Sequence, residues 1–292
     1  MSLETVAILS PGDMGHAVGK LLKSNGLRAI TCLQNRTERT RRLAQQAQIE
    51  NVVSYRVLVE EADILLSIMV PAQAAAAARM VSSAIAHVGS DLVYADCNAI
   101  SPQTTQHIDH IISEAGGRFV DASIIGGPPK ASGTTRFYAS GPYATLFEEL
   151  GAFGLNVVNL GEAVGMASSI KMCYAALTKG LAALSTELLV ASYLLGVSDG
   201  LLREFQNSQP QLLERMERGL PGMPAKSRRW VGEMEEISNT FAEVGLTPAM
   251  LSGAADMYRL VGDTELADHN PEDPDPPPPL DEMIAALAAK LV

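Results

Sequence analysis

The sequence contains few cysteines and no long uninterrupted apolar run. Its three cysteines, Cys32, Cys97 and Cys173, are widely spaced and odd in number, which indicates reduced thiols rather than a disulfide framework or a metal cluster. No stretch of about 18 consecutive apolar residues predicts a membrane span, and the N-terminus lacks the basic and then apolar pattern of a secretory signal. We therefore expect a soluble cytoplasmic protein without a metal site or a membrane partner.

Positive charge is also scarce. The chain has 22 lysines and arginines against 33 aspartates and glutamates, which gives a formal net charge of -11 at pH 7. Because nucleic-acid binding requires a concentrated basic face, this balance argues against DNA or RNA as the main partner. It does not exclude a small anionic substrate, since a binding site can be locally basic.

The first part of the chain alternates short β-branched runs with helical patterns. Predicted strands cover residues 5–9, 28–33, 64–69, 92–96, 119–124, 136–139 and 156–159, and predicted helices cover 16–24, 39–48, 72–87 and 102–115. Apolar strands separated by helices indicate a largely parallel sheet that is covered on both faces. We therefore predict a doubly wound α/β domain over residues 1–161.

The pattern changes after residue 161. Residues 163–196 are mostly small and apolar and include no proline, which predicts one long, mostly buried helix. Further helices are predicted at 199–205, 210–219, 226–244 and 248–260, so residues 162–292 form an all-α second domain. Prolines and acids in 270–279 predict an extended linker. Residues 280–292 predict an amphipathic helix whose apolar face needs a covering surface, on its own chain or across a dimer.

The segment between the first predicted strand and helix is similar to a dinucleotide-binding loop. The GxGxxG fingerprint has three glycines, where this chain has Ser10, Gly12 and Gly15. Gly12 lets the backbone approach a pyrophosphate, and Gly15 lets the helix pack closely on the strand. Ser10 fits if its backbone adopts a conformation open to ordinary residues. We predict a Rossmann-type site formed by Ser10, Pro11, Gly12, Asp13, Met14 and Gly15, with a turn that binds nothing as the alternative.

The end of the second predicted strand bears on the choice of cofactor. NAD-specific sites place an acidic residue about 20 residues beyond the loop, on the ribose hydroxyls. This chain has Asn35, Arg36 and Thr37 instead, and an arginine can stack on adenine and face a ribose 2′-phosphate. The sequence therefore favours NADP over NAD. In the alternative interpretation, the arginines at 36, 39, 41 and 42 form a solvated helix face, which we expect of most of them except Arg36.

Five motifs in order along the chain resemble the β-hydroxyacid dehydrogenase family, which includes 3-hydroxyisobutyrate dehydrogenase and shorter relatives of 6-phosphogluconate dehydrogenase. They are ILSPGDMGHAVG at 8–19, NRT at 35–37, DCNAISP at 96–102, DASIIGGPP at 121–129 and GMASSIKMCY at 165–174. Each motif is weak alone, and the resemblance depends on their order and spacing. It implies a Rossmann domain followed by a helical C-terminal domain, and a homodimer in which that second domain packs on its partner.

The chain departs from the family on the substrate side. Asn98 stands where serine is common, Ile125 replaces the serine of a Ser-Gly-Gly loop, and Tyr174 replaces an asparagine. In the family these side chains hold the carboxylate and hydroxyl of a hydroxyacid, so their loss puts a standard substrate such as 3-hydroxyisobutyrate in question. The family's catalytic lysine is kept as Lys171.

Lys171 is the predicted catalytic residue. Hydride transfer between a carbinol carbon and nicotinamide needs a group that takes or gives the proton of the oxygen, and a lysine does so when desolvation lowers its pKa. A charge in an apolar helix is costly unless it is paired or functional, so we expect Lys171 to point inward at a cleft. The alternative is a lysine that reaches solvent, for which Lys179 is the comparison. Tyr174 shares a face with Lys171 and is either catalytic or a packing residue.

Three further segments complete the predicted site. Asn98 is expected to contact substrate or orient Lys171, with a simple turn residue as the alternative. Gly126 and Gly127 are expected to present backbone amides to a substrate carboxylate, or else to bend the chain at a strand end. By the family resemblance, the segment of Val70 and Pro71 contacts the nicotinamide ribose.

Together these inferences predict an NADP-dependent oxidoreductase acting on a small hydroxyacid or a related carbonyl compound, with its active site between the two domains. Imine reduction is the alternative that Tyr174 keeps open and Lys171 disfavours. A cofactor-binding protein without turnover is suggested by Ser10 and the reduced substrate motifs.

Overall fold

The computed structural model describes residues 3–129, 134–270 and 275–291. Its backbone contacts divide the chain into two compact units, Met1–Met172 and Cys173–Val292. The division lies within a helix, later than the 161/162 boundary predicted from composition, because the first turns of that helix are hydrogen-bonded to the sheet of the first unit.

The first unit contains a sheet of eight strands within the described residues, in the order β3-β2-β1-β4-β5-β6-β7-β8. The strands are β1 (Thr5–Leu9), β2 (Arg28–Thr31), β3 (Glu50–Asn51), β4 (Ile64–Ser67), β5 (Val93–Asp96), β6 (Arg118–Ile125), β7 (Arg136–Ser140) and β8 (Asn156–Asn159). In this spatial order, each pair of neighbouring strands from β3 through β2, β1, β4 and β5 to β6 is parallel. Strand β7 runs antiparallel to β6. The seven predicted strands are confirmed. Strand β3 was not predicted, because it is only two exposed residues long and has no apolar pattern.

Helices cover both faces of this sheet. They are α1 (Gly15–Ser24), α2 (Glu38–Gln46), α3 (Tyr55–Glu61), α4 (Pro71–Val88), α5 (Pro102–Glu114) and α6 (Ala144–Glu148). Alternate residues of β1 enter two separate cores, with Val6 and Ile8 on one face and Ala7 and Leu9 on the other, as a strand buried on both faces requires. The doubly wound prediction is therefore confirmed. The short helices α3 and α6 were not predicted.

The second unit is all-α, as predicted. Its helices are the continuation of α7 (Met166–Leu194), then α8 (Ser198–Ser208), α9 (Pro210–Gly219), α10 (Pro224–Glu243), α11 (Ala249–Gly262) and α12 (Leu280–Ala289). An ion pair of 2.7 Å joins Lys179 Nζ on α7 to Glu233 on α10. The hydroxyl of Tyr258 on α11 donates to the Lys179 carbonyl at 2.6 Å. The expectation that Lys179 extends into solvent is wrong, because its ammonium is buried against a carboxylate that compensates its desolvation.

Helix α7 is less buried than the sequence predicts. Leu177, Leu184 and Tyr193 are 67%, 56% and 50% exposed, because one stripe of a helix suffices for packing while apolar residues of α7 occur all round it. The length and hydropathy of α7 would also suit a membrane span, but the core helices of soluble proteins can have the same length and hydropathy. The prediction of a mostly buried helix is therefore wrong for the single chain.

The C-terminal amphipathic helix is covered within its own chain. Met283, Ile284 and Leu287 of α12 are buried, so the first of the two alternatives for its apolar face holds. Residues 275–279 of the predicted linker form neither helix nor strand, and 271–274 lie outside the described residues.

Candidate nucleotide and catalytic site

The predicted site residues of the first unit follow the carboxyl ends of parallel strands. Residues 10–15 follow β1, 35–37 follow β2, 70–71 follow β4, Asn98 follows β5, and 126–127 follow β6. Because carboxyl ends of parallel strands share one edge of a sheet, these segments lie along the edge at which open α/β sheets bind ligands. The fold thus brings separate motifs of the sequence to one edge.

The glycine loop after β1 has the close packing that a nucleotide site needs. A Cβ on Gly15 would lie 2.6 Å from the Ser10 carbonyl oxygen and 3.3 Å from the Ile8 side chain, so only glycine lets α1 approach β1 this closely. Around the Cβ position of Gly12 no described atom lies within 4 Å, which leaves its backbone open to a ligand. Each glycine therefore has the local geometry that its predicted role requires.

Ser10 has a strained backbone. Its φ of +70° lies in the left-handed region, so the condition under which serine replaces glycine without strain is not met. A tight turn follows directly, in which the Gly12 N–H donates to the Ser10 carbonyl at 2.8 Å. A left-handed conformation costs a non-glycine residue about 1 kcal/mol. The strain lies in the loop that would face a pyrophosphate.

The segment after β2 presents a positive group. Thr37 caps α2 by accepting a hydrogen bond from the Thr40 N–H at 3.2 Å, which positions Arg36 at the start of the helix. The guanidinium of Arg36 donates from Nη2 to the Tyr55 hydroxyl at 3.3 Å, while its buried Nε has no hydrogen-bond partner within the described chain. A buried donor of this kind fits an anionic or carbonyl ligand group. Asn35 precedes it in a left-handed conformation with φ of +57°.

An ion pair links the two cofactor segments. Arg39 on α2 pairs with Asp13 of the glycine loop, so Arg39 is not part of a purely solvated helix face. The pair offsets the negative charge of Asp13, which would otherwise oppose a phosphate beside this loop. Arg41 also has a local role, since its Nη2 donates to the Leu33 carbonyl at 2.8 Å.

Lys171 lies in the second turn of α7 and is partly buried. Its Nζ donates to the Ile124 carbonyl at 2.7 Å, near the end of β6 and two residues before Gly126. Gly126 has a φ of +127°, and a Cβ there would lie 3.1 Å from the Thr135 Cα, so the bend after β6 requires glycine. The structure thus brings the predicted catalytic ammonium to the start of the 126–127 loop.

Asn98 is buried in the bend between β5 and α5. Its Oδ1 accepts from the Met69 N–H at 2.6 Å, and its Nδ2 donates to the Ser67 hydroxyl at 3.0 Å. These bonds tie the end of β5 to the segment that leads into Val70 and Pro71. Asn98 therefore holds two site loops in register, as its turn alternative implies.

Tyr174 belongs to the second unit and is 48% exposed. It is not a core residue of its own chain, and it lies one helical turn after Lys171 on α7. Its phenol is accessible to a partner molecule or a ligand.

Asp121, which the sequence analysis did not select, anchors the start of α7. One of its carboxylate oxygens, Oδ2, accepts from the N–H groups of Gly165, Ala167 and Ser168 at 2.9, 3.1 and 3.2 Å and from the Ser140 hydroxyl at 2.8 Å. Burial raises the pKa of Asp121, and these hydrogen bonds oppose that rise. The signal in the sequence was an acid within an otherwise apolar strand.

Asp96 is the register partner of Asp121 on the neighbouring strand. Its Oδ1 accepts from the Asn98 N–H at 3.0 Å, and its Oδ2 is buried without a hydrogen-bond partner among the described residues. Desolvation, with a smaller contribution from the nearby Asp121 charge, raises the pKa of Asp96 to about 7. Histidine, cysteine and carboxylate side chains of the described residues form no group of three or more that could hold a metal ion.

Comparison with known proteins agrees with this geometry. Residues 5–157, just over half of the chain, match the NAD binding domain of 6-phosphogluconate dehydrogenase, and residues 193–261 match a domain of unknown function, DUF1932. The latter match lies wholly within the helical second unit. The first unit therefore carries a recognised dinucleotide-binding domain, while the second has a helical domain to which no activity is attached.

Three solved structures resemble the chain over most of its length. The conserved protein MTH1747, described as similar to 3-hydroxyacid dehydrogenases, is 28% identical with a TM-score of 0.66, covering 91% of this chain and all of that one. The 3-hydroxyisobutyrate dehydrogenase of Salmonella typhimurium is 19% identical with a TM-score of 0.68, covering 97% and 99%. An imine reductase of Myxococcus stipitatus in complex with NAD+ is 17% identical with a TM-score of 0.55, covering both chains fully. The chain belongs to the β-hydroxyacid dehydrogenase family, as its motifs predict.

Proposed function

We propose that the protein is an NADP-dependent oxidoreductase that transfers a hydride between nicotinamide and a small hydroxyacid or a related carbonyl compound. The observation that carries the proposal is the 2.7 Å hydrogen bond from Lys171 Nζ to the Ile124 carbonyl, beside the 126–127 loop and at the ligand-binding edge of a dinucleotide-binding sheet. A proton-transfer group at that edge is what hydride chemistry at a C–O bond requires.

The residues of the first unit fit a dinucleotide phosphate. The open backbone at Gly12 and the N-terminus of α1 suit the pyrophosphate, and the unpartnered Nε of Arg36 suits a ribose 2′-phosphate. When bound, the nicotinamide accepts or supplies the hydride. No acidic side chain occupies 35–37 to bind free ribose hydroxyls, which supports NADP over NAD.

Lys171 handles the proton of the substrate oxygen. One N–H of its ammonium is held by the Ile124 carbonyl at 2.7 Å, which keeps the ammonium beside the 126–127 loop, where a substrate oxygen would lie. In the reduction direction the ammonium gives a proton to the carbonyl oxygen as it becomes an alcohol. In oxidation the neutral amine takes that proton back. We expect the backbone of the 126–127 loop, which begins two residues after Ile124, to orient a carboxylate of the same substrate.

Cofactor choice is tested by titrating the protein with NADPH and with NADH and following nicotinamide fluorescence. We expect tighter binding of NADPH, and we expect Arg36→Ala to weaken NADPH binding by roughly tenfold to a hundredfold, the value of a lost charged hydrogen bond. Arg203→Ala, on an exposed face of α8, is the matched control. Equal affinities for the two cofactors would remove the argument from Arg36.

Turnover is tested with a panel of hydroxyacids, aldehydes and cyclic imines, followed at the nicotinamide absorbance band. We expect activity on hydroxyacids or their carbonyl products, and loss of that activity in Lys171→Ala with cofactor binding kept. Lys20→Ala, on the exposed face of α1, is the control. Unaffected turnover in Lys171→Ala would end the proposed role, and cofactor binding with no turnover on the whole panel would favour a binding protein.

Imine reduction is the second candidate, favoured by the exposed phenol of Tyr174 one turn after Lys171. In that case cyclic imines are the substrates, and Tyr174→Phe lowers turnover more than Lys171→Ala does. The opposite order of effects supports the first proposal.

We also propose that the protein is a cytoplasmic homodimer, without nucleic-acid or membrane partners, in which the exposed side of α7 is covered by a second copy. The large exposed side chains of Leu177 and Leu184, seven residues apart on one side of α7, support this assembly. Sedimentation should give the mass of two chains, and Leu184→Asp should shift the mass to that of one. An unchanged mass would place the interface elsewhere.

A further inference from the structure

Strand β6 holds the start of α7 at several points. Asp121 Oδ2 accepts from three backbone N–H groups of the first turn, the Ser123 hydroxyl donates to the Ala167 carbonyl at 2.8 Å, and the Ile124 carbonyl accepts from Lys171 Nζ. All three strand residues lie within four positions of one another. The helix is therefore registered to β6 by specific bonds and not by apolar packing alone.

The bonds to Asp121 are costly to replace. Its side chain is buried, and the N–H groups that it accepts from have no earlier helical carbonyl to bond. A carboxylate at this position also interacts favourably with the positive end of the α7 dipole. Ser168, which donates to Asp121, and Lys171 are one turn apart on the same face of α7. A shift of the first turn therefore moves the Lys171 amine away from the Ile124 carbonyl.

We propose that Asp121 is a positioning residue that holds the Lys171 amine at the end of β6 by fixing the first turn of α7. This inference rests on the proposed function for its effect on turnover. The effect of Asp121 on the position of the Lys171 amine does not depend on any enzymatic activity. It depends only on contacts among residues of the first unit.

The distinctive feature of the arrangement is that a single oxygen accepts the bonds from α7. Asparagine can put a carbonyl oxygen at the same place, whereas alanine has no acceptor. Glutamate keeps the charge but displaces the acceptor by one methylene. Asp121→Asn is thus the conservative variant, and Asp121→Ala and Asp121→Glu are the disruptive ones.

The experiment is trace labelling of lysine amines in the full-length protein with acetic anhydride, read by mass spectrometry relative to the exposed Lys20. We expect Asp121→Ala and Asp121→Glu to raise the relative reactivity of Lys171 several-fold, with Asp121→Asn close to wild type. Lys179, in the second unit, should keep its reactivity in every variant and so reports that the remaining fold is intact. Asp199→Ala, which removes an exposed acid on α8, is the control.

Turnover is measured on the same variants. We expect kcat to fall by about 100-fold in Asp121→Ala, the effect of a displacement of about 1 Å at a reacting group, with NADPH binding unchanged and recovery in Asp121→Asn. Unchanged Lys171 reactivity in Asp121→Ala, or in Asp121→Glu if the alanine variant does not fold, would overturn the proposal. Raised Lys171 reactivity with kcat unchanged would uphold the role of Asp121 and overturn that of Lys171 in the proposed function.

Discussion

The stability of the first unit should depend on pH through Asp96, and Asp96→Asn should remove that dependence. The side chain is fully buried on β5, and its pKa is raised from 3.8 to about 7, mainly by desolvation. In the unfolded chain the carboxyl ionises near its ordinary value. Between these two values the native state holds a proton that the unfolded state has lost, so the free energy of unfolding falls as pH rises from about 4 to about 7 and then levels off.

The size of the effect follows from the two pKa values. They differ by roughly three units, and each unit corresponds to about 1.4 kcal/mol, so the loss is about 4 kcal/mol at most. Carboxyl groups that do not interact with Asp96 are present in both proteins, so their own titration cancels in the difference. The difference in unfolding free energy, wild type minus Asp96→Asn, should therefore decrease by a few kcal/mol from pH 4.5 to pH 7.5.

The assay is urea unfolding at a series of pH values, with circular dichroism as the signal. The single tryptophan, Trp230, lies in the second unit, so hydrogen exchange of peptides from β5 is needed to assign a transition to the first unit. Asp199→Asn, at an exposed position on α8, is the control and should give a difference that is flat with pH. A flat difference for Asp96→Asn would refute the reasoning, because it would mean that Asp96 is solvated in the native state.

Three further predictions concern stability. Ser10→Gly should leave the free energy of unfolding unchanged or raise it by up to about 1 kcal/mol, since it relieves the left-handed strain at the cost of a more flexible unfolded chain; a clear loss of stability in urea unfolding would contradict this. Gly15→Ala should destabilise the first unit and weaken NADPH binding in the fluorescence titration, because its Cβ would lie 2.6 Å from a backbone oxygen; wild-type affinity would show that α1 can move away from β1. Lys179→Met should cost about 2 kcal/mol, because it removes the 2.7 Å partner of the buried Glu233 carboxylate and leaves the more distant Arg229, at 3.4 Å, as its remaining ion pair. The double variant Lys179→Met with Glu233→Leu should recover much of this, as followed by Trp230 fluorescence, and additive losses would show that the two charges do not depend on each other.

The elements and their order along the chain could be predicted from the sequence. The strand at 5–9 and the helix at 210–219 were predicted with the bounds that the structure has, because continuous apolar runs and a proline at a helix start are local signals. Segments with weak local signals were missed. Strand β3 consists of only two residues, both exposed, and helix α3 is only seven residues long. The glycine loop, the 35–37 segment and Lys171 were also recognisable, since each has residue types that ordinary packing does not require.

The bonds that arrange these motifs were decided by the tertiary structure. The backbone of Ser10 is left-handed in the tight loop between β1 and α1, and nothing in the local sequence predicts a positive φ for serine. Lys171 and Lys179 are both lysines on one apolar helix, yet one donates to a strand carbonyl and the other pairs with a carboxylate 54 residues away. Asp121 caps a helix that begins 45 residues later. The chain by itself determines elements and candidate chemistry because those depend on near neighbours. Charge pairing, strain and the anchoring of α7 depend on groups distant in sequence, which only the folded chain brings together.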